Sequence, residues 1–436
     1  MKGRHLSTYE TLFKCRQEFG YYQTFQVAGT YSNSFSKNTL SKVLRKVILE
    51  NGMLSCNVFP DDQKSLLRPV EKITFDDVYV DLEDKYITDN LLNEEGMKFL
   101  NSFTFQLGVE KALFKVLYNE KSSTLAAVFD HAVFDGINGN YFHEEFIKYL
   151  RIMDSEDNEM ESVLFDLSTD ETLLANDLPP PIDAYMKYDE PHNETFMSKV
   201  PPYPRYSGRF LNTKDVKDIA FKLLKFNPDE LKTLLKKCKE KNVTLTSYLD
   251  VIFALTFQSV YKDTYSVNKV AIALRKFIPW DKDYKIWGNS PHMGLNQNLH
   301  IKSFSWDDVI EFNKNLKATA NNDKLLYEVR AWRDVCGTGN ESQFFDKALG
   351  KEKPETTKLS NLGLIRIPKD DGSKFQLLDL VFSQDMSPAA SDFMIGVVST
   401  ELGGLSIIVS YFEYDDGFDE GLVDQYRDNI WKYIQE

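Results

Sequence analysis

Cysteine is scarce in this chain. The four residues, Cys15, Cys56, Cys238 and Cys336, lie far apart and none forms a Cys-x-x-Cys pair. A zinc ribbon or a disulfide framework is therefore not expected, and a reducing compartment fits. Long apolar runs are missing as well: no window approaches the ~18 uncharged apolar residues of a membrane span. Basic charge is in deficit, the formal net charge being −14. That argues against nucleic acid as a partner, because a phosphate backbone needs a basic face; a small basic patch for a single phosphate group is still compatible. Three glycine signatures are absent too. There is no Gly-x-x-x-x-Gly-Lys phosphate loop, no Gly-x-Gly-x-x-Gly behind a strand and no Gly-x-Ser-x-Gly elbow. Nucleotide-fold cofactors and an α/β serine hydrolase are not expected on that ground.

What is present is material for large cores. The 436 residues are 42% hydrophobic and 13% aromatic, more than one ordinary core accommodates, so two domains are expected. The most informative stretch is Leu125-Ala-Ala-Val-Phe-Asp-His-Ala-Val-Phe-Asp-Gly136. Its apolar start reads as a buried strand, and Tyr141 to Leu150 has apolar residues at helical spacing. His131 and Asp135 thus sit on the turn between strand and helix. An imidazole placed there can meet a substrate in a cleft, and its ordinary pKa suits proton transfer near neutrality. A lone histidine beside a strand end is more often a satisfied structural residue, so the dipeptide pattern alone does not decide its role.

Around this stretch the chain reads as mixed α+β. A short helix is expected from Ser7 to Phe19, a strand from Tyr21 to Tyr31, and a helix capped by Ser36 or Asn38 running to Glu50, with Leu40, Val43, Leu44, Val47 and Ile48 as its buried face. Strands are expected over Leu54–Phe59, Ile73–Leu82, Phe114–Tyr118 and Thr124–Phe129, and a helix over Asn93–Leu100. Acidic residues from Asp154 to Glu161 and prolines at 179–181, 191, 201, 202 and 204 then mark an irregular crossover with a solvated acidic face. Carboxylates without a spaced Asp-x-Asp-x-Asp-Gly loop do not make a calcium site. The boundaries that follow are 1–165, a linker over 166–210, and 211–436.

The second part opens with a strand from Val216 to Phe226. A helix capped by Asn227 with Pro228 at its first position follows, and then a longer helix capped by Thr244 and running to Val260. A buried strand, Val270 to Leu274, delivers Arg275. Trp287-Gly-Asn-Ser-Pro-His-Met-Gly294 reads as a loop, with His292 inside it. A helix capped by Ser305 runs to Ala320. Thr357-Lys-Leu-Ser-Asn-Leu-Gly-Leu364 follows, where Asn361 and Gly363 have the chemistry of a turn and Ser360 and Asn361 that of hydrogen-bond donors to a developing oxyanion. Two strands, Phe393–Ser399 and Gly404–Tyr411, form a hairpin, and a helix closes the chain.

His-x-x-x-Asp-Gly behind an apolar strand resembles the signature of acyl-CoA-dependent acyltransferases that share the chloramphenicol acetyltransferase-like fold. The helix–loop–helix after Asn227, the Arg275 strand, the Trp287–Gly294 loop and Ser360-Asn-Leu-Gly363 resemble further segments of that superfamily. The plant branch's Asp-Phe-Gly-Trp-Gly is absent, and Asp130 stands where condensation domains have a second histidine. Tyr21-Tyr-Gln-Thr-Phe-Gln-Val and Leu54-Ser-Cys-Asn-Val are similar to the fungal alcohol O-acetyltransferase family.

The resemblance implies two chloramphenicol acetyltransferase-like domains with an active-site channel between them, acetyl-CoA as co-substrate and no metal. His131 would be the general base. Arg275 would pair with Asp135, which would then be structural, and Gly136 would permit a tight turn for want of a Cβ. Ser360, Asn361 and Gly363 would border the reaction centre, and His292 would line the channel, ranking below His131. The expected reaction is direct acetyl transfer to the hydroxyl of a small or medium-chain alcohol. Two alternatives stand beside it: N-acetylation of a hydrophobic long-chain or sphingoid-base-like amine, and a non-catalytic binding relative. A monomer is expected, and peripheral membrane contact is compatible with the composition. With no signal-peptide core at Met1–Ser7, the expected location is intracellular, in the cytoplasm or peripherally on endoplasmic reticulum or lipid droplets.

Overall fold

A computed structural model describes residues 3–62, 64–153, 159–170, 178–185, 198–208, 210–214, 218–278, 285–290, 292–323, 340–367, 372–413 and 421–436. Most of the acidic run (154–158), Pro191 and Cys336 lie outside the described residues. The strands of the two large sheets are β1 (Thr24–Tyr31), β2 (Tyr79–Asp81), β3 (Phe114–Asn119), β4 (Thr124–Asp130), β5 (Ile219–Phe226), β6 (Ser266–Ala273), β7 (His292–Leu299), β8 (Glu355–Ile365), β9 (Leu377–Gln384), β10 (Ser391–Thr400) and β11 (Gly404–Phe412). The helices that matter here are α1 (Thr8–Glu18), α2 (Lys37–Glu50), α3 (Glu94–Asn101), α4 (Gly136–Met153), α5 (Pro228–Glu240), α6 (Leu245–Val260), α7 (Trp306–Ala320) and α8 (Gly421–Ile434).

Local chemistry sets most of the helix starts. Ser36, Asn93, Thr244 and Ser305 each accept a bond from a backbone amide of the first turn, and Asn227 and Glu230 complete a reciprocal capping box in front of α5 with Pro228 inside it. Two strand expectations are corrected. Leu54 and Ser55 belong to a 3-10 turn, Gly52–Ser55, and the strand begins at Cys56. The stretch 73–82 is interrupted by one helical turn, Phe75–Val78, because Thr74 and Asp77 cap each other and outcompete the alternation of Val78 and Val80.

The five-stranded sheet has the order β9-β1-β4-β3-β2, and the six-stranded sheet the order β5-β11-β10-β8-β6-β7. Both are mixed: β2 runs parallel to β3, and β8 runs parallel to β6 and β10. β4 lies at the centre of the first sheet with both faces covered, which is why its sequence is a continuous apolar run and not an alternation. Leu125, Ala127 and Phe129 pack in the core that contains α2 and α4, while Ala126 and Val128 pack in a layer with Met394, Ile408 and Phe412 of the other sheet.

Sheet membership does not follow the 211–436 boundary. β9 leaves the second half of the chain and pairs antiparallel with β1 at the edge of the first sheet. Phe25 to Tyr31 offer an open edge that β9 satisfies, and an unpaired buried edge would be costly. Val381 of β9 joins the layer between the sheets. With each fully buried large apolar side chain contributing ~1.5–3 kcal/mol, this shared layer and the crossing strand bind the two lobes into one body.

Candidate active site

The chain leaves β4 at Asp130 and turns into α4 through His131–Asp135. The backbone fixes His131 first: its amide donates to the Gln23 carbonyl at 2.8 Å, and Asn289 Nδ2 donates to its carbonyl. Its ring lies against Phe13 with centroids 4.6 Å apart, and against Tyr22 and Phe25 at 5.1 Å each. The residue is 5% exposed; Nδ1 is buried with no hydrogen bond of good geometry among the described residues, although the nearby His131 and Phe134 backbone groups favour its protonated form. Burial is the main cause that pushes its pKa down to about 3, and the charges of Lys358 and Arg16 act in the same direction. The imidazole thus rests in its neutral form, and burial makes it a weaker base than the ordinary histidine the sequence led us to expect.

His143, one helix turn and more along α4, shows what a structural histidine looks like. Its Nδ1 meets Tyr31 Oη at 2.8 Å and its Nε2 meets the Val27 carbonyl at 3.1 Å. Both ring nitrogens have partners, whereas His131 keeps one without.

Asp135 and Arg275 meet as the sequence led us to expect. Arg275 Nη2 donates to Oδ1 at 2.9 Å and Nη1 lies 2.7 Å from Oδ2. The Ile137 and Ser290 amides add bonds of 3.1 and 3.0 Å, so all four contacts hold the carboxylate away from solution. Arg275 also donates to the carbonyls of Gly288 and Ile286. One guanidinium thus ties the His131 turn in the first lobe to the 286–290 loop in the second. Gly288, at φ +114°, provides a backbone conformation open to glycine, which lets its carbonyl face Arg275.

Gly136 needs a different account from the one the sequence offered. It is the first residue of α4 without a left-handed φ, and a Cβ there would stand 2.7 Å from Leu362 Cδ2. Its missing side chain allows β8 to approach the turn. His292 is not in a loop: it opens β7, opposite Ala273, because the ladder to β6 extends that far. The structure does not describe its side chain.

Ser360, Asn361 and Gly363 lie within β8 and not in a free turn. The strand bulges between Asn361 and Leu364, with Gly363 at φ +81°. Asn361 holds the bulge: Oδ1 accepts from the Gly363 amide at 2.8 Å and Nδ2 donates to Thr246 Oγ1 at 2.9 Å, at the start of α6. These bonds orient the amide and leave one Nδ2 hydrogen over. Ser360 lines the cavity described next.

His131, Asp135, Gly136, Arg275, Ser360 and Asn361 share the wall of one cavity of about 570 Å³. Ile137, Ala271, Ala273, Leu362 and Phe382 give it an apolar side; Lys358, Gln384 and Ser290 complete its polar side. Ser290 also lines a second cavity of about 380 Å³ bounded by Trp287 and Ile286. From the sequence, Gln384-Asp-Met-Ser-Pro388 reads as a loop that could reach coenzyme or substrate, with no role assigned; in the structure Gln384 is the last residue of β9, and Lys358 carries no mark in the sequence. Lys358 sits two residues before Ser360, on the same face of β8. Burial, helped by Lys269 and Arg16, lowers its pKa to about 7. Among the described residues no group of histidine, cysteine or carboxylate side chains is arranged to hold a metal, and no single helix is long and apolar enough to cross a membrane.

A buried neutral imidazole at a cavity between two mixed-sheet lobes, its turn locked by an Asp–Arg fork, defines an acyltransferase of the chloramphenicol acetyltransferase-like class. A solved member of that fold, the TRI3 trichothecene 15-O-acetyltransferase from Fusarium sporotrichioides, superposes with a TM-score of 0.62 at 11% identity, covering 99% of this chain and 94% of that one. Within the class, the chain belongs to the alcohol acetyltransferase family, whose model matches residues 5–421. Two Saccharomyces cerevisiae proteins are similar over nearly their full lengths. N-acetyltransferase SLI1 is 22% identical, with 93% of this chain and 94% of that protein aligned. Alcohol O-acetyltransferase 1 is 21% identical, with 96% and 93% aligned.

Proposed function

We propose that the chain moves an acetyl group from acetyl-CoA to the hydroxyl of a small or medium-chain alcohol, with His131 as general base. The observation that carries this reading is the neutral, incompletely bonded imidazole on the wall of a cavity with one apolar side. With Nδ1 sealed in, Nε2 is the nitrogen that serves the reaction. It takes the proton from the acceptor hydroxyl, whose oxygen attacks the thioester carbonyl carbon. The C–S bond of the tetrahedral intermediate then breaks, and the proton passes from His131 to the departing thiolate. General-base assistance of this kind is worth ~10²–10⁴ in rate. Asp135 and Arg275 act by holding the turn and touch no reacting atom. Acetyl-CoA would enter from one side of the channel between the lobes and the acceptor from the other.

A second reading, N-acetylation of a hydrophobic amine, is supported by the similarity to a yeast protein named as an N-acetyltransferase. The amine would react as its neutral form and needs only the same base, so an acceptor panel decides between the two readings. The experiment that separates them measures release of CoA thiol from acetyl-CoA with a panel of alcohols and primary amines. Turnover with alcohols is expected; turnover with amines alone would select the second reading, and none with either would select a binding protein without catalysis.

A further inference from the structure

The reaction proposed above develops negative charge on the thioester oxygen, and the wall of the cavity holds a donor that no described residue uses. Gln384 is the last residue of β9, the strand that crosses from the second half of the chain into the first sheet. It is 4% exposed and lines the cavity with His131. Tyr22 Oη donates to Gln384 Oε1 at 2.7 Å. That bond fixes the amide plane and leaves the amide nitrogen as the free end. Gln384 Nε2 is buried and has no hydrogen-bond partner among the described residues. A buried N–H left unpaired is costly, and such groups persist where a ligand brings the acceptor. The same Tyr22 ring packs against the His131 ring, so base and donor are held by one side chain.

We propose that Gln384 Nε2 donates a hydrogen bond to the carbonyl oxygen of the bound acyl thioester and to the oxyanion it becomes, and that Tyr22 is its positioning residue. The proposal rests on the transferase reading. As the acceptor oxygen bonds to the carbonyl carbon, the carbonyl π pair moves onto oxygen, where Gln384 meets it; the pair returns as the C–S bond breaks, and sulfur takes the proton from His131. A donor already oriented on the cavity wall needs no reorganisation when that charge appears. Asn361 is held at Oδ1 by the Gly363 amide and spends one of its two Nδ2 hydrogens on Thr246, so its amide is oriented by the bulge and not by the His131 ring.

The test uses the full chain with S-acetonyl-CoA, a ketone that cannot transfer its acyl group, labelled with ¹³C at the carbonyl. In the wild type the bound carbonyl stretch is expected at lower frequency than in water. In Gln384→Leu, which keeps the volume and removes the donor, the band should return towards the value of a carbonyl in an apolar site, with binding retained within about threefold. Turnover of acetyl-CoA should show kcat reduced ~10²-fold, the size expected for one oxyanion donor, at little-changed KM. Tyr22→Phe should give a smaller loss of kcat and a broadened band. Identical band positions in wild type and Gln384→Leu, or a Gln384→Leu kcat within twofold of wild type, would overturn the proposal while an inactive His131→Ala left the transferase reading standing. If S-acetonyl-CoA did not bind the wild type, the kcat of Gln384→Leu would decide the proposal by itself, while the transferase reading would stand or fall on CoA release.

Discussion

Asp135 is held by two guanidinium nitrogens and two backbone amides, and each contact has a consequence at the scale of a single residue. Arg275→Ala strands this carboxylate and frees the Gly288 and Ile286 carbonyls. Breaking one side of a buried pair typically costs ~3–5 kcal/mol, so calorimetry should show a large drop in melting temperature together with a loss of rate. Arg275→Lys keeps the charge but cannot make the two-pronged contact, and should restore only part of both. Asp130 gives a prediction in pH. It accepts from the Gln17 amide and the Ala132 N–H, and burial raises its pKa to about 8. Between its ordinary value of 3.8 and 8 the folded chain therefore holds a proton that the unfolded chain has released. Stability from this group is present at low pH and is lost as pH rises through that window, by up to about 1.4 kcal/mol per pH unit. Asp130→Asn should remove that part of the slope in urea titrations at pH 5 and pH 7; an unchanged slope would mean that Asp130 is ionised in the fold. At this scale the Asp135–Arg275 pair was legible through the resemblance of their segments to the acyltransferase superfamily, since a lone histidine or arginine at a strand end does not decide its own role. Gln384 was legible only as the start of a segment that could reach substrate, and Lys358 not at all, because a lysine inside a strand carries no local mark.

Among the elements, α4 sets the position of the turn. It reaches β1 through Gly139, where a Cβ would stand 2.3 Å from Val27 Cγ2, while Gly29 on β1 makes room for the His143 ring. Alanine in place of a helical glycine ordinarily gains about 1 kcal/mol. Here the neighbour is a stiff β-branched side chain in the sheet, and overpacking costs ~1–3 kcal/mol. Gly139→Ala should thus lower the melting temperature and, because α4 begins at Gly136, lower kcat as well; a rise in melting temperature would show that the helix can shift freely. Helix starts were readable from their caps, since Ser36, Thr244 and Ser305 act within one turn. The break at Phe75–Val78 was not, because the alternation of Val78 and Val80 imitates a strand and the Thr74–Asp77 pair that wins is a local hydrogen-bond competition.

At the scale of the whole molecule, the sequence supports two lobes of mixed α and β structure but not their interlocking. Nothing in Leu377–Gln384 says that it pairs with β1, more than 340 residues earlier in the chain, since an apolar strand fits any open edge. That crossing brings Gln384 to the cavity, and the Arg275 fork closes the same seam from the other side. The site is a property of the assembled pair of lobes, and its central group is the His131 ring. The most direct measurement is the rate of CoA thiol release from acetyl-CoA by wild type and His131→Ala, with the best acceptor from the panel and with matched circular dichroism and melting curves. A loss of ~10²–10⁴ in kcat/KM is predicted; a rate within threefold of wild type would contradict the account.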